Sequence, residues 1–414
     1  MGRLRVVDEI FLRTHRGLGT PIALQGLWRT ADRVEPALLA QVHSALRSGP
    51  LGRRVSRPRV PGARRSWQRN TRAHQLVSTE GVLSDAALMD WADAQGSDID
   101  PESVPGWRLS TAGMVDGGSV VALTCSHALA DGRALVFAVD RALGDPHPEV
   151  PESGASESEW FDALRQWSIV LRGTAAAIRR GIPRNPAVTT RAPEPTIPTG
   201  PVTHSAILQC PAPEWDRAAA TTGGTANSLF IQLVVTILWH SGFPNSTIEA
   251  SLPIDTRDEP RVDNDLAMTA IAVSRSDTPA TIRASARFAY ERRIHAPGGM
   301  PAELLQVIPD RWAHALSKGA GERDILCSNI GTLPARLRAL GPHRCTGVAA
   351  RAIHPDLTAA RLPRTRLSGY LCRIGDDYVL SLVGLDPARI ESAAALRELA
   401  LHTTTSAGLS AYAW

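Results

Sequence analysis

The sequence predicts an α+β protein made of two bodies of similar size. A chain of 414 residues is too long for one ordinary core and suits two domains of roughly 200 residues each. Strand-like and helix-like segments are mixed on both sides of a proline-rich seam, without a regular βαβ rhythm. The hydrophobic share of 43% and the charged share of 21% are those of a folded globular protein. We therefore expect an α+β layer arrangement in each half.

The seam lies between residues 181 and 201. It contains Pro183, Pro186, Pro193, Pro195, Pro198 and Pro201. A segment with this much proline cannot hold a helix or a central strand, so it is interpreted as an extended surface linker. It divides the chain into an N-terminal body, residues 1–180, and a C-terminal body, residues 202–414.

In the first half, apolar residues at helical spacing predict a helix over 34–45. The run 119–126 is short and rich in β-branched residues, and it follows the turn residues 116–118, which predicts a strand. Helical periodicity resumes over 134–144. His127 thus lies where a strand is followed by a helix, and loops held by rigid elements are common places for catalytic groups.

The second half has the same two periodicities. Strands are predicted over 204–210, 248–254 and 266–273, a hairpin over 367–385 and a closing helix over 392–402. Asn227-Ser228 are predicted to cap an apolar helix that ends near Gly242. Its apolar run, 229–239, is far shorter than the ~20 residues of a membrane span. We expect a buried helix and no membrane span.

The net charge of +4 comes from a chain that is rich in arginine and almost free of lysine. The densest basic stretch holds Arg53, Arg54, Arg57, Arg59, Arg64, Arg65, Arg69 and Arg72 and is broken by prolines. It predicts a loop, either a solvated surface segment or a docking surface for an anionic coenzyme phosphate or an acidic carrier protein. No basic helix with interleaved aromatic residues accompanies it, so nucleic-acid binding is not expected.

Five cysteines, at 125, 210, 327, 345 and 372, are odd in number and match no metal-ligand spacing. Reduced thiols and a cytoplasmic location are the simplest interpretation. The first residues are not followed by the apolar stretch of an export signal. We expect no bound metal or cofactor.

A His-x-x-x-Asp-Gly string, His127 to Gly132, follows the predicted strand. Three fixed positions occur by chance in many chains, and a histidine at a strand end is usually structural. The motif therefore indicates a function only in combination with the segments around it.

Those segments resemble, in the same order, the superfamily of condensation domains and wax ester synthases, with chloramphenicol acetyltransferase as a more distant relative. The matching stretches are residues 8–13, 46–55, 105–109, 115–123, 126–132, 225–228, 252–257, 263–264 and 328–331. The resemblance runs from about residue 8 to 400.

The resemblance implies two chloramphenicol acetyltransferase-like subdomains with a tunnel between them. It implies transfer of an acyl group from a coenzyme A or phosphopantetheinyl-carrier thioester to an alcohol or amine. His127 would be the general base, since a thioester is already activated and needs only a deprotonated nucleophile. Any carrier protein would act in trans.

Asp131 resembles the family's structural aspartate, which pairs with an arginine. Arg54 and Arg257 are the candidate partners, and the sequence does not choose between them. Gly132 would allow a tight turn or a close approach of another segment.

The chain departs from the family pattern at Ser126, where many members have a first histidine. Ser126 is either a substitute that hydrogen-bonds the loop or a sign that the site has drifted. Ser328 and Asn329 either donate hydrogen bonds to an oxyanion or acceptor or form a polar crossover. Cys125, two residues before His127, is a less favoured nucleophile, because buried cysteines are usually core residues.

Two other functions remain open beside acyl transfer. One is a binding protein of the same fold that recruits a carrier protein or partner enzyme without catalysis, a reading motivated by Ser126. The other is an enzyme that uses the tunnel for a cyclisation or dehydration.

Overall fold

The computed structural model describes residues 2–144, 158–180, 201–291, 301–317 and 322–414. Apart from its last position, the predicted linker 181–201 lies outside the described residues.

The helices are α1 Val6–Thr14, α2 Pro36–Ser48, α3 Asp85–Ala94, α4 Gly132–Gly144, α5 Glu159–Arg180, α6 Ala212–Thr221, α7 Ala226–His240, α8 Pro279–Glu291, α9 Leu304–Val307, α10 Asp310–Ser317 and α11 Ala393–Ser406. The strands are β1 Ala23–Thr30, β2 Arg53–Ser56, β3 Ser66–Arg69, β4 Val77–Leu83, β5 Trp107–Met114, β6 Ser119–Ser126, β7 His204–Pro211, β8 Thr247–Asp255, β9 Leu266–Ser274, β10 Ile325–Thr332, β11 Ala339–Leu340, β12 His343–Ile353, β13 Leu367–Ile374, β14 Asp377–Gly384 and β15 Tyr412–Ala413.

Two large sheets organise the described residues. The first has the strand order β11-β12-β1-β6-β5-β4, and the second has the order β15-β7-β14-β13-β10-β8-β9. A hydrophobic core cluster is associated with each sheet. The predicted α+β class with two bodies is confirmed.

The strand that carries the motif is central in the first sheet. β6 pairs antiparallel with β1 and with β5, and every residue of β6 is buried. Its last residue, Ser126, is opposite Ala23 of β1. A strand buried on both faces needs apolar residues at nearly every position, which explains the continuous run Val-Val-Ala-Leu. The loop that starts at His127 is therefore anchored to a rigid, buried strand.

The first sheet also contains a strand from the C-terminal part of the chain. β12 pairs antiparallel with β1, with Ile353 opposite Ala23, and β11 extends this edge. Residues 339–353, which lie after the seam, therefore pair with the sheet of the N-terminal body. The physical reason is that β1 needs hydrogen-bond partners on both sides, and β6 satisfies only one of them.

The apolar helix of the second half begins earlier than its sequence suggests. Thr225, rather than Asn227-Ser228, is the N-cap of α7, and the Thr225 hydroxyl accepts a hydrogen bond from the Ser228 backbone at 3.2 Å. The Ser228 hydroxyl accepts from the Thr225 backbone at 2.8 Å, which completes a reciprocal cap. Most of α7 is buried, as predicted.

No single helix of the described residues is long and apolar enough to cross a membrane. The pair α6 and α7, bent by 86° at its break, passes the same test of length and composition when both helices are counted together.

Candidate active site

The motif forms the loop between β6 and α4. Asp131 precedes the first residue of α4, and its Oδ1 accepts a hydrogen bond from the Ala134 backbone at 2.9 Å, as an N-cap does. Gly132 begins the helix close to β10, since a Cβ added at Gly132 would lie 2.8 Å from the Ile330 side chain. Glycine thus lets a strand of the second sheet approach the motif.

The second carboxylate oxygen of Asp131 binds the C-terminal body. It accepts from the guanidinium of Arg257 and from the Asp265 backbone at 3.0 Å. Arg257 and Asp131 are both buried, with 3% and 7% of their side chains exposed. The ion pair raises the pKa of Arg257 against the opposing effect of burial. Asp131 is therefore bound by the loop after β8.

Arg54, the other candidate partner of Asp131, is not at the site. It lies on β2 with an exposed side chain, and its guanidinium bonds to Gln68 at 3.4 Å on β3. Strand alternation sends neighbouring side chains to opposite faces, so Arg53 is the arginine that turns inward. Arg53 donates to the Leu129 carbonyl inside the motif loop, and its guanidinium stacks 4.3 Å from the Trp67 ring centre.

Asn264 joins three segments of the site. Its Nδ2 donates to the His127 carbonyl at 2.8 Å, to the Ala128 carbonyl at 3.1 Å and to Asp8 on α1 at 2.8 Å. The residue is buried. Sequence reasoning noted the Asp263-Asn264 pair after a strand but assigned it no role, because a loop carries no periodicity that would show its contacts.

The His127 ring lies in a partly enclosed position. It stacks on Phe11 of α1, with ring centres 3.6 Å apart and an angle of 14° between the planes. Nδ1 is enclosed and has no hydrogen-bond partner among the described residues. Nε2 is not among the enclosed unpaired atoms, and the residue is half-buried. Nε2 is thus the less enclosed of the two ring nitrogens.

Burial lowers the pKa of His127 below its ordinary value, because the charged imidazolium loses hydration. The backbone carbonyl of His127 itself, the Asp131 carboxylate and the Asn264 side chain act in the opposite direction without reversing the shift. The imidazole is therefore neutral at physiological pH, the form in which it accepts a proton.

Ser126 is hydrogen-bonded on two sides. Its hydroxyl accepts from the Ala128 backbone at 3.2 Å and lies 2.7 Å from Nε2 of His15. Burial lowers the pKa of His15, so its neutral Nε2 can accept the proton of the hydroxyl. This is the geometry that a loop-bonding role for Ser126 requires. His15, directly after α1, was not singled out from the sequence, because its partner lies 111 residues away.

Ser328 and Asn329 lie on β10, and neither hydrogen-bonds to His127 or Asp131. Asn329 is exposed, donates to Asn227 at 2.9 Å and accepts from the Gly331 backbone at 2.9 Å. Asn227 in turn donates to the Tyr290 hydroxyl at 3.1 Å. These last two residues help to line a cavity of about 570 Å³ in the C-terminal body.

Cys125 is fully buried in the core of the first sheet. Burial raises the pKa of its thiol to about 12. A thiol with this pKa forms almost no thiolate near neutral pH, so the structure argues against Cys125 as a nucleophile.

The basic stretch is largely used within the protein. Arg64 pairs with Asp162, Arg65 with Glu9, and Arg57 with Glu102. Arg53 is turned toward the motif. What remains for an external anion is a smaller exposed set: Arg54, Arg59, Arg69 and Arg72.

In the described part of the chain, no group of three or more His, Cys, Asp or Glu side chains is arranged to hold a metal ion. No protein-family model and no curated protein sequence matches the chain.

Solved structures match over nearly its whole length. Polyketide synthase associated protein 5 from Mycobacterium tuberculosis is 14% identical, covers 98% of both chains and has a TM-score of 0.57. The first condensation domain of the CDA synthetase is 13% identical, with 98% of this chain and 97% of that chain covered and a TM-score of 0.57. A wax ester synthase/diacylglycerol acyltransferase from Marinobacter aquaeolei VT8 is 15% identical, with 98% and 100% covered and a TM-score of 0.56.

At these identities the likeness concerns the fold. The protein has the two-subdomain fold seen in the condensation domain of the CDA synthetase and in the wax ester synthase.

Proposed function

We propose that this protein is an acyltransferase that moves an acyl group from a coenzyme A or carrier-protein thioester to an alcohol or amine, with His127 as general base. The observation that carries the proposal is the state of His127. Its ring is neutral and stacks on Phe11, and Asn264 holds its backbone carbonyl at a place where the two bodies meet. Nε2 is the less enclosed of its two ring nitrogens.

The chemistry needs one proton acceptor and a good leaving group. In the proposed step, His127 Nε2 takes the proton from the acceptor hydroxyl or amine as that atom attacks the thioester carbonyl. The carbon–sulfur bond then breaks, and the thiolate, whose conjugate thiol has a pKa of about 8.5, takes the proton back. Asp131 is bound to Arg257 and two backbone amides, so its proposed role is to hold the loop.

The comparisons support the same class of reaction. The solved structures with this fold include condensation domains and a wax ester synthase/diacylglycerol acyltransferase. The proposed partners are the thioester donor, the acceptor and, where the donor is carrier-bound, a carrier protein in trans. We further propose a role in lipid or secondary metabolite biosynthesis in the cytoplasm.

The test is thiol release from a panel of acyl thioesters, with and without an added alcohol or amine. Wild-type protein should release thiol in an acceptor-dependent manner. His127→Ala should lower the rate by about a hundredfold to ten-thousandfold, the usual contribution of a general base. His402→Ala, the same change at an exposed histidine of α11, should leave the rate unchanged. A rate for His127→Ala within about threefold of wild type would remove the base assignment, since a general base contributes far more.

The pH profile gives an independent readout of the same group. Because burial lowers the pKa of His127 below 6.5, the rate with an alcohol acceptor should rise with pH through a midpoint below 6.5 and be level above it. A midpoint well above 6.5 would point to a different titrating group.

The second candidate function is a non-catalytic protein that recruits a carrier protein or partner enzyme. Ser126, in the place of the family's first histidine, is the observation that favours it. Under this alternative, no thioester in the panel would release thiol, and a carrier protein would bind equally well to wild type and to His127→Ala.

A further inference from the structure

α5 has its apolar residues on the outside. Trp160, Phe161, Leu164, Leu171 and Ile178 have exposed fractions of 68%, 76%, 67%, 65% and 62%. Its buried side is mixed, with the polar residues Asp162 and Gln166 beside the small apolar residues Ala163 and Val170. A surface helix of a globular protein normally shows the opposite arrangement, with its apolar stripe against the core. Within the described residues, nothing covers this face.

Polar contacts fix α5 in this orientation. Asp162 accepts from the Arg64 backbone at 2.8 Å and from its guanidinium at 2.6 Å. Glu159 accepts from the backbone amides of Arg59 and Val60 at 2.8 and 3.1 Å. These bonds join the helix to the loop between β2 and β3. Contacts with the β2–β3 loop therefore hold α5 with its apolar face toward the outside of the protein.

A row of arginines runs beside the apolar stripe. Arg165, Arg172 and Arg179 are seven residues apart, and each directly follows a member of the stripe. Seven residues are close to two helical turns, so the row is parallel to the stripe and is rotated from it by about 100°. All three side chains are exposed, and none takes part in an ion pair with a described residue. Since Asp162 is buried and paired, the exposed charge of this face is positive.

We propose that α5 docks this protein on the surface of a membrane that contains anionic phospholipid. The helix lies in the plane of the interface, with Trp160 and Phe161 at headgroup level and the aliphatic stripe against the acyl chains. The arginine row pairs with lipid phosphates. α10, which contacts α9 beside α5, also exposes Trp312 and Leu316.

The positive charge of the α5 face favours an anionic membrane over a second copy of the chain as its partner. Two copies joined through the α5 face would bring two unpaired arginine rows together, whereas an anionic bilayer compensates them and accepts the aromatic side chains. The proposal is independent of catalysis, because it concerns a surface and requires no turnover.

The test is flotation of the full chain with vesicles of phosphatidylcholine alone or mixed with phosphatidylglycerol. Wild type should float with the mixed vesicles, and added salt should weaken binding because the arginines act through screened charge. Leu171→Asp should weaken binding by roughly tenfold or more. Removing the leucine from the acyl-chain region forfeits more binding free energy than the 1.4 kcal/mol that corresponds to a tenfold change in affinity. The triple change of Arg165, Arg172 and Arg179 to Gln should abolish the preference for phosphatidylglycerol.

Val115→Asp is the matched control, because Val115 is 68% exposed in the turn between β5 and β6, away from α5 in the chain. It should bind like wild type. Circular dichroism should show that all variants are folded. Absence of flotation by folded wild type, or equal binding by Leu171→Asp, would overturn the proposal. So would a dimer in sedimentation that Leu171→Asp dissociates, since the face would then be occupied by a second copy.

Discussion

The Asp131 carboxylate binds two bodies of the protein at once. One oxygen caps α4 of the N-terminal body, and the other pairs with Arg257 and the Asp265 backbone of the C-terminal body. A buried charge that loses its partner is strongly destabilising, because it has neither water nor a counter-charge. Asp131 therefore stabilises the position of the motif loop relative to both bodies.

Arg257→Ala should lower the free energy of unfolding by about 3–5 kcal/mol, the cost of removing one partner of a buried ion pair. Arg54→Ala, the same change at the exposed arginine of β2, should alter it by less than about 0.5 kcal/mol. Urea unfolding of both variants measures the difference. Equal effects of the two substitutions would contradict the pairing.

His15 lies outside the motif in the sequence, and its imidazole contacts the residue just before the motif. Its contact with the Ser126 hydroxyl links the end of α1 to the end of β6. We expect this bond to orient the start of the motif loop, a positioning role in which His15 acts through Ser126.

His15→Ala should reduce the rate of acyl transfer by up to about tenfold, since one hydrogen bond contributes roughly 0.5–1.5 kcal/mol. Ser126→Ala should give a similar loss, and the double variant should lose little more, because both changes remove the same bond. The acid limb of the pH profile should remain, as His127 is still present. Fully additive losses would show that the two residues act separately.

At the scale of single elements, α7 shows how a helix start is decided. Thr225 has extended backbone angles and caps the helix reciprocally with Ser228. The helix N-terminus leaves four backbone N–H groups without partners, and this reciprocal cap satisfies two of them, those of Thr225 and Ser228. Asn227, part of the predicted cap, instead bonds Tyr290 and Asn329.

Thr225→Ala should lower the free energy of unfolding by about 1 kcal/mol, the typical value of an N-cap. Thr221→Ala is the control, because that hydroxyl is exposed and bonds only to a carbonyl four residues earlier in α6. Thermal unfolding should show a lower melting temperature for Thr225→Ala than for Thr221→Ala. Equal melting temperatures would show that the cap does not stabilise the protein.

At the scale of the whole molecule, β12 ties the two bodies together. The C-terminal part of the chain crosses to the first sheet, where β12 pairs with β1 along eight residues. It then re-enters the second sheet at β13. Without β12, β1 would present an unpaired edge. The N-terminal body is therefore incomplete when it is cut at the seam.

A fragment of residues 1–180 should aggregate or lack a cooperative unfolding transition when expressed alone. Co-expression with residues 202–414 should yield a soluble complex, because the second fragment supplies the missing strand. Size-exclusion chromatography and thermal unfolding measure both outcomes. A monomeric 1–180 fragment with its own cooperative transition would show that β12 is dispensable.

Local sequence patterns predicted much of the fold. The strand 119–126 and the strand 204–210 agree with β6 and β7 to within a residue, and the helix predicted over 392–402 corresponds to α11, which Ser392 caps. These features follow from side-chain periodicity and capping, which depend on neighbours within a few positions. The His127 to Gly132 motif, and its place after a strand, were visible for the same reason.

Contacts between distant segments were decided only by the tertiary structure. Arg257 rather than Arg54 pairs with Asp131, β12 joins the first sheet, and Asn264 and His15 reach the motif from 137 and 111 residues away. The outward apolar face of α5 belongs to the same group, because its periodicity predicts a stripe but not the direction in which it points. Periodicity is a property of one element, whereas a partner, a register and an orientation arise when elements compete for the same buried surface.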